Sequence, residues 1–112
     1  MKKRVDWVLK SDSHVVVAIK GASADFYPEK EIIFYEDNIK NRIDLEKRIF
    51  ERFGTDYTMT IDFKKDICSF VFSTEERCSF DIKTSFKETK TSVTLKYTLD
   101  DEIKEINVSW KE

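Results

Sequence analysis

The chain has 112 residues, 40% of them apolar and 38% charged, with 20 basic and 22 acidic side chains and a net charge of −2. That length suits one domain, residues 1–112, with a core of its own. The interspersed signs exclude a disordered chain and argue against a general nucleic-acid binder, whose basic residues concentrate on one face.

The basic start, MKKRVDWVLKSD, lacks the apolar stretch of a secretory leader. The longest apolar run is too short for a membrane helix, so the expected compartment is the cytoplasm. Lysine outnumbers arginine 15 to 5, as in chains from A/T-rich genomes such as those of low-GC bacteria and their phages.

RVDWVL alternates Val5, Trp7 and Leu9 with polar residues, the period of a half-buried strand. HVVVAIK is apolar on both faces, and a hairpin turning at Ser11–Ser13 joins the two. SDSH at positions 11–14 holds the residue types of a hydrolytic triad. Adjacent turn residues do not stack as a triad requires, so it reads as a turn. His14 is the only histidine, which leaves no His-rich metal site.

The stretch Gly21–Asp37 carries five acids, one lysine and the only proline. Phe26 and Tyr27, beside Pro28, fit neither the helical nor the strand period. Pro28 forbids a central strand there, which puts the stretch at an edge or rim. Flanked by Asp25, Glu29, Glu31 and Glu36, the aromatic pair has the makeup of a contact site: aromatic anchors, a charged rim, and acids that steer toward a partner with a basic surface. The competing reading folds the pair back to cap the core. EIIFY, after the proline, reads as a third strand.

DNIKNRIDLEKRIFERFG places Ile39, Ile43 and Phe50 in one stripe and Leu45, Ile49 and Phe53 in another. This spacing predicts an amphipathic helix, capped by Asp37 or Asn38 and stopped by Gly54.

From Tyr57 onward the alternation is strict. TDYTMTIDF, CSFVFS, RCSFDI, TSVTLKYTL and IKEINVSW read as five strands joined by short polar loops, an antiparallel meander. With a turn centred near Glu75, Phe72 pairs with Cys78, Phe70 with Phe80, and Cys68 with Ile82. Both cysteines then face inward but too far apart to bond, so both are expected to be reduced. The outward face is rich in hydroxyls, and Thr58, Thr60 and Thr94 on it mark a candidate self-association surface for a homodimer.

The expected fold is therefore α+β: a twisted antiparallel sheet of seven or eight strands, with the helix over its apolar face. No residue pattern points to catalysis, to a metal or to a cofactor. The expected function is a non-catalytic protein-binding module, such as a phage- or plasmid-encoded inhibitor or immunity-type protein that blocks a partner. The alternative is a carrier for a small apolar ligand, held in a closed barrel-like cavity.

Overall fold

The computed structural model describes residues 1–27 and 30–111. It corrects the α+β expectation: the described residues form eleven antiparallel strands in one curled half-barrel sheet, with no helix. The strands are β1 (Lys2–Ser11), β2 (His14–Tyr27), β3 (Glu31–Glu36), β4 (Ile39–Asp44), β5 (Ile49–Phe53), β6 (Tyr57–Asp62), β7 (Ile67–Phe72), β8 (Arg77–Asp81), β9 (Thr84–Glu88), β10 (Ser92–Leu99) and β11 (Glu102–Trp110). Their order across the sheet is β8-β7-β6-β5-β4-β3-β2-β1-β11-β10-β9.

Two weak joints divide this sheet into facing walls. β2 pairs with β1 over most of its length, but with β3 only at Asp25–Tyr27. The edge strands β8 and β9 are joined through Ile82 and Lys83. There the Ile82 N–H donates to the Asp66 carbonyl, and the Lys83 carbonyl accepts from Thr98 N–H, both at 3.0 Å. The first wall is β2, β1, β11, β10 and β9; the second runs from β3 to β8. Aromatic contacts close the space between them: Trp7 to Phe34 at 5.2 Å, Phe63 to Phe86 at 5.6 Å and Phe50 to Tyr97 at 6.4 Å between ring centroids.

Strand register arranges the second wall's inward side chains in rows. The deeper row is Ile32, Ile43, Phe50, Ile61 and Cys68, all fully buried. The next row outward is Phe34, Asn41, Arg52, Met59 and Phe70. Burying the deeper row contributes roughly 1.5–3 kcal/mol of stabilisation per large apolar side chain.

The expected helix over residues 38–54 is a β-hairpin. Ile39 and Ile43 lie four apart, which suits a helix face, but four is also an even spacing and suits one face of a strand. The inward position between them is Asn41, a polar residue that hid the alternation. The chain reverses at 45–48, where Asp44 Oδ1 accepts from Glu46 N–H at 3.0 Å and Lys47 N–H at 2.8 Å. Arg48 completes the turn at φ 56°. An Asp that satisfies the next two or three amides builds a turn as readily as it caps a helix.

The C-terminal meander is corrected in two respects. It has six strands, because Thr84–Glu88 is β9, which pairs with β10 while β8 pairs only with β7. The β7–β8 register is also shifted by two residues: Phe70 faces Cys78 and Cys68 faces Phe80. The turn is tighter than expected, with Phe72 N–H bonded to Glu76 O and Glu75 at φ 69°. Parity survives a two-residue shift, so Cys78 and Phe80 lie on the same face as Phe70 and Cys68, but β8 is an edge strand exposed along its length, which corrects the inward placement of Cys78. Both cysteines are free, Cys68 buried and Cys78 exposed. No helix among the described residues is long and apolar enough to cross a membrane.

Candidate functional site: a free strand edge and an interwall cleft

Because β3 joins β2 only from Asp25 onward, residues 14–24 of β2 present an unpaired edge. This is the HVVVAIK segment. Val15 and Val16 are each 59% exposed and Ile19 is 41% exposed. The segment ends at a bend. Gly21 has φ 67°, its N–H donates to Asp6 Oδ1 at 2.8 Å, and its carbonyl accepts from Arg4 Nη1 at 2.8 Å. A register shift between Val5 and Trp7 lies opposite, and a glycine in the left-handed region suits such a bulge.

Between the walls, at the end where β2 and β3 diverge, lies a recess of about 270 Å³. Leu9, Leu99 and Ile106 line it from the first wall, and Phe50, Met59 and Phe70 from the second. Its polar rim is Tyr97 and Lys104 on the first wall and Arg52 and Tyr57 on the second.

Arg52 is fixed by three neighbours. Nη2 donates to Glu36 Oε1 at 2.8 Å, Nη1 to Asn41 Oδ1 at 3.1 Å, and Nε to the Tyr57 hydroxyl at 3.2 Å. Burial works against the guanidinium charge, but the bonds to Glu36 and Tyr57 outweigh it and hold the group above its ordinary pKa. Gly54 makes this arrangement possible, because a Cβ there would overlap the Tyr57 ring at Cε1 and Cζ. Its role is thus to admit the Tyr57 ring rather than to end a helix.

Tyr97 is 6% exposed. Burial pushes its hydroxyl up to about 12, with Arg52 pulling slightly the other way, so at neutral pH it is an O–H donor. That hydroxyl makes no hydrogen bond among the described residues. Lys104 Nζ donates to Glu102 Oε2 at 2.7 Å and to Ser11 Oγ at 3.2 Å.

The structure separates the residues singled out in the acidic stretch. Phe26 is in the core, 6% exposed and edge-on to Trp110 at 5.2 Å, as the core-capping reading has it. Tyr27 is exposed. Asp25 is half-buried and paired with Lys2 and Ile33 in the ladder. Glu31 is bonded to Arg42 Nε at 2.7 Å, and Glu36 serves Arg52. Pro28 and Glu29 lie outside the described residues.

Of the hydroxyl-rich set, Thr58 and Thr60 are on β6 in the second wall, and Thr94 is on β10 in the first. Their outer faces point away from each other, so they do not form one patch. Arg52 and Asn41 are the residues sequence reasoning missed. Their signal is polarity at two inward positions directly opposite each other in the β4–β5 register.

The chain matches no protein-family model, no curated protein and no solved structure.

Proposed function

We propose that this chain is a non-catalytic protein-binding module that takes an extended segment of a partner protein onto β2. The observation that carries the reading is the free edge at residues 14–24, which is apolar on both faces and uncharged from Val15 to Ile19. Edge strands in folded proteins are usually blunted by charge, proline or covering loops, because unpaired N–H and C=O groups template further pairing. The seven residues before the bend, His14–Lys20, offer roughly 23 Å of ladder. Strand addition draws affinity from the main chain and specificity from alternate side chains. Lys20 closes one end of the uncharged run, so the matching segment is an alternating apolar strand with an acid at its end. A module of this kind acts by occupying the segment it captures.

The test uses the synthetic peptide EVTVTVE, titrated into the isotope-labelled full chain. Amide shifts should concentrate at residues 14–20. Val16→Lys, a change at an exposed position, should weaken binding about tenfold by putting an unpaired charge into the new ladder. Shifts centred on β8 or β9, or an unchanged affinity for Val16→Lys, would refute the β2 assignment.

A further inference from the structure

We infer that the interwall cleft is a second, independent binding site, for a small amphipathic molecule with an apolar body and a carboxylate head. The rim holds more hydrogen-bond donors than its own acceptors satisfy. A guanidinium carries five N–H donors and an ammonium three. Arg52 spends three of its five on Glu36, Asn41 and Tyr57. Lys104 spends two of its three on Glu102 and Ser11. Two donors on Arg52, one on Lys104 and the Tyr97 hydroxyl are left over at one rim.

No carboxylate is among the residues lining the recess. Glu36 and Glu102, which pair with the two cations, are not among the lining residues. An ionised carboxylate is acceptor-only and takes several donors at once, so it complements a rim whose spare groups donate. The floor of Phe50, Met59, Leu9 and Ile106 favours a hydrocarbon body.

The site is preorganised. Three side chains orient the Arg52 fork, and Tyr97 is held in the core by its ring, so little rotamer freedom is lost when a ligand arrives. Its size is modest. About 270 Å³ is the volume of roughly nine liquid waters, just below the usual range of drug-sized ligand pockets. That room suits a short acyl chain or a single ring.

The recess also opens sideways onto three parallel rings. Phe70 stacks on Phe72 at 5.8 Å and on Phe80 at 6.1 Å, with interplanar angles of 7° and 17°. Phe72 and Phe80 are 40% and 39% exposed, and they give a longer apolar body a surface to lie along.

The experiment titrates hexanoate, hexanol and hexylammonium separately into the isotope-labelled full chain at neutral pH. Hexanoate should bind saturably with Kd of about 1 mM, and the other two at least about fivefold more weakly. Its shifts should map to Leu9, Arg52, Tyr97 and Leu99. Tyr97→Phe, which removes only the hydroxyl, should weaken hexanoate about threefold or more and leave hexanol unchanged. Leu99→Trp should fill the recess and block both.

Equal binding of acid and alcohol would overturn the carboxylate assignment. Hexanoate shifts confined to Lys3, Arg4 and Lys111, which line an open groove on the outer surface, would overturn the site. So would the absence of saturable binding, which would leave a water-filled cleft only.

Discussion

Phe50→Ala tests the central claim of the architecture, that residues 39–53 form the middle of a wall. Phe50 is fully buried in the deepest row, opposite Ile43 and Ile61, with its ring 6.4 Å from Tyr97. Truncating a buried Phe to Ala costs about 3–5 kcal/mol, part from lost transfer energy and part from the cavity left behind. Here the cavity would be continuous with the recess, so water can enter it, and the lower end, about 3 kcal/mol, is expected. For 112 residues the unfolding entropy is about 0.24 kcal/mol/K, so 3 kcal/mol lowers Tm by about 13 °C. Thermal unfolding followed by circular dichroism reads this directly. Phe72→Ala is the control: that residue is 40% exposed and its truncation should cost about 1–2 kcal/mol. A fall below about 4 °C for Phe50→Ala would show that the ring does not join the two walls.

Thiol labelling under native, non-reducing conditions should count one reactive group per chain and, after unfolding, two. Cys78 is exposed, whereas Cys68 is buried and its thiol is pushed up to about 11 by that burial. Two fast thiols in the native state would place Cys68 outside the core. In alkali, the unfolded chain gives up the Tyr97 proton first, near the ordinary 10, while the folded chain holds it to about 12. That stabilisation is complete below pH 10 and is lost as pH rises toward 12. Tyr97→Phe should flatten the decline of the urea midpoint across this window, and an unchanged slope would mean the hydroxyl is solvated.

Much of the sheet was legible, for a definite reason. Met59, Ile61 and Phe63, or Val93, Leu95 and Tyr97, alternate cleanly because one face of an antiparallel wall is buried and the other wet. The first hairpin turned where its polar residues cluster, at Asp12 and Ser13.

The turns elsewhere were harder to see. Chains usually mark left-handed turn positions with glycine, and this one does so at Gly21 but places Asp37, Arg48, Asp66, Glu75, Asp100 and Asp101 at positive φ. Asp tolerates that region better than most residues, yet it also caps helices, so Asp37 reads equally well as a helix signal.

The candidate site was hidden for a related reason. Asn41 and Arg52 stand where the core pattern demands apolar residues, and two such interruptions in one hairpin erased its period. The interruptions are the site. Tyr97 was recognised as inward-facing, but no local pattern shows that its hydroxyl has no partner. The free β2 edge was not legible at all: a strand apolar on both faces fits burial between two neighbours as well as it fits exposure, and only the β2–β3 register shows that one neighbour is missing before Asp25.

The junction at Ile82–Lys83 bears on how the chain folds. Every pair of strands consecutive in sequence is also adjacent in the sheet except β8 and β9, while the one pairing distant in sequence joins β1 to β11, with Val5 opposite Trp110. The linear order of the polypeptide and the order of the sheet thus differ by a single cut. Joining residue 111 to residue 1 through a short linker, and opening the chain between Ile82 and Lys83, would turn β11 and β1 into a hairpin and give a simple meander running from β9 round to β8. The strand pairings would be unchanged and the longest closure, β1 on β11, would become local, while interwall contacts such as Phe63 with Phe86 would become the distant ones. Folding rates of small domains follow the mean sequence separation of their contacts. The rearranged chain is therefore expected to reach the same structure faster, with the wild-type barrier set largely by the search that brings its first strand to its last.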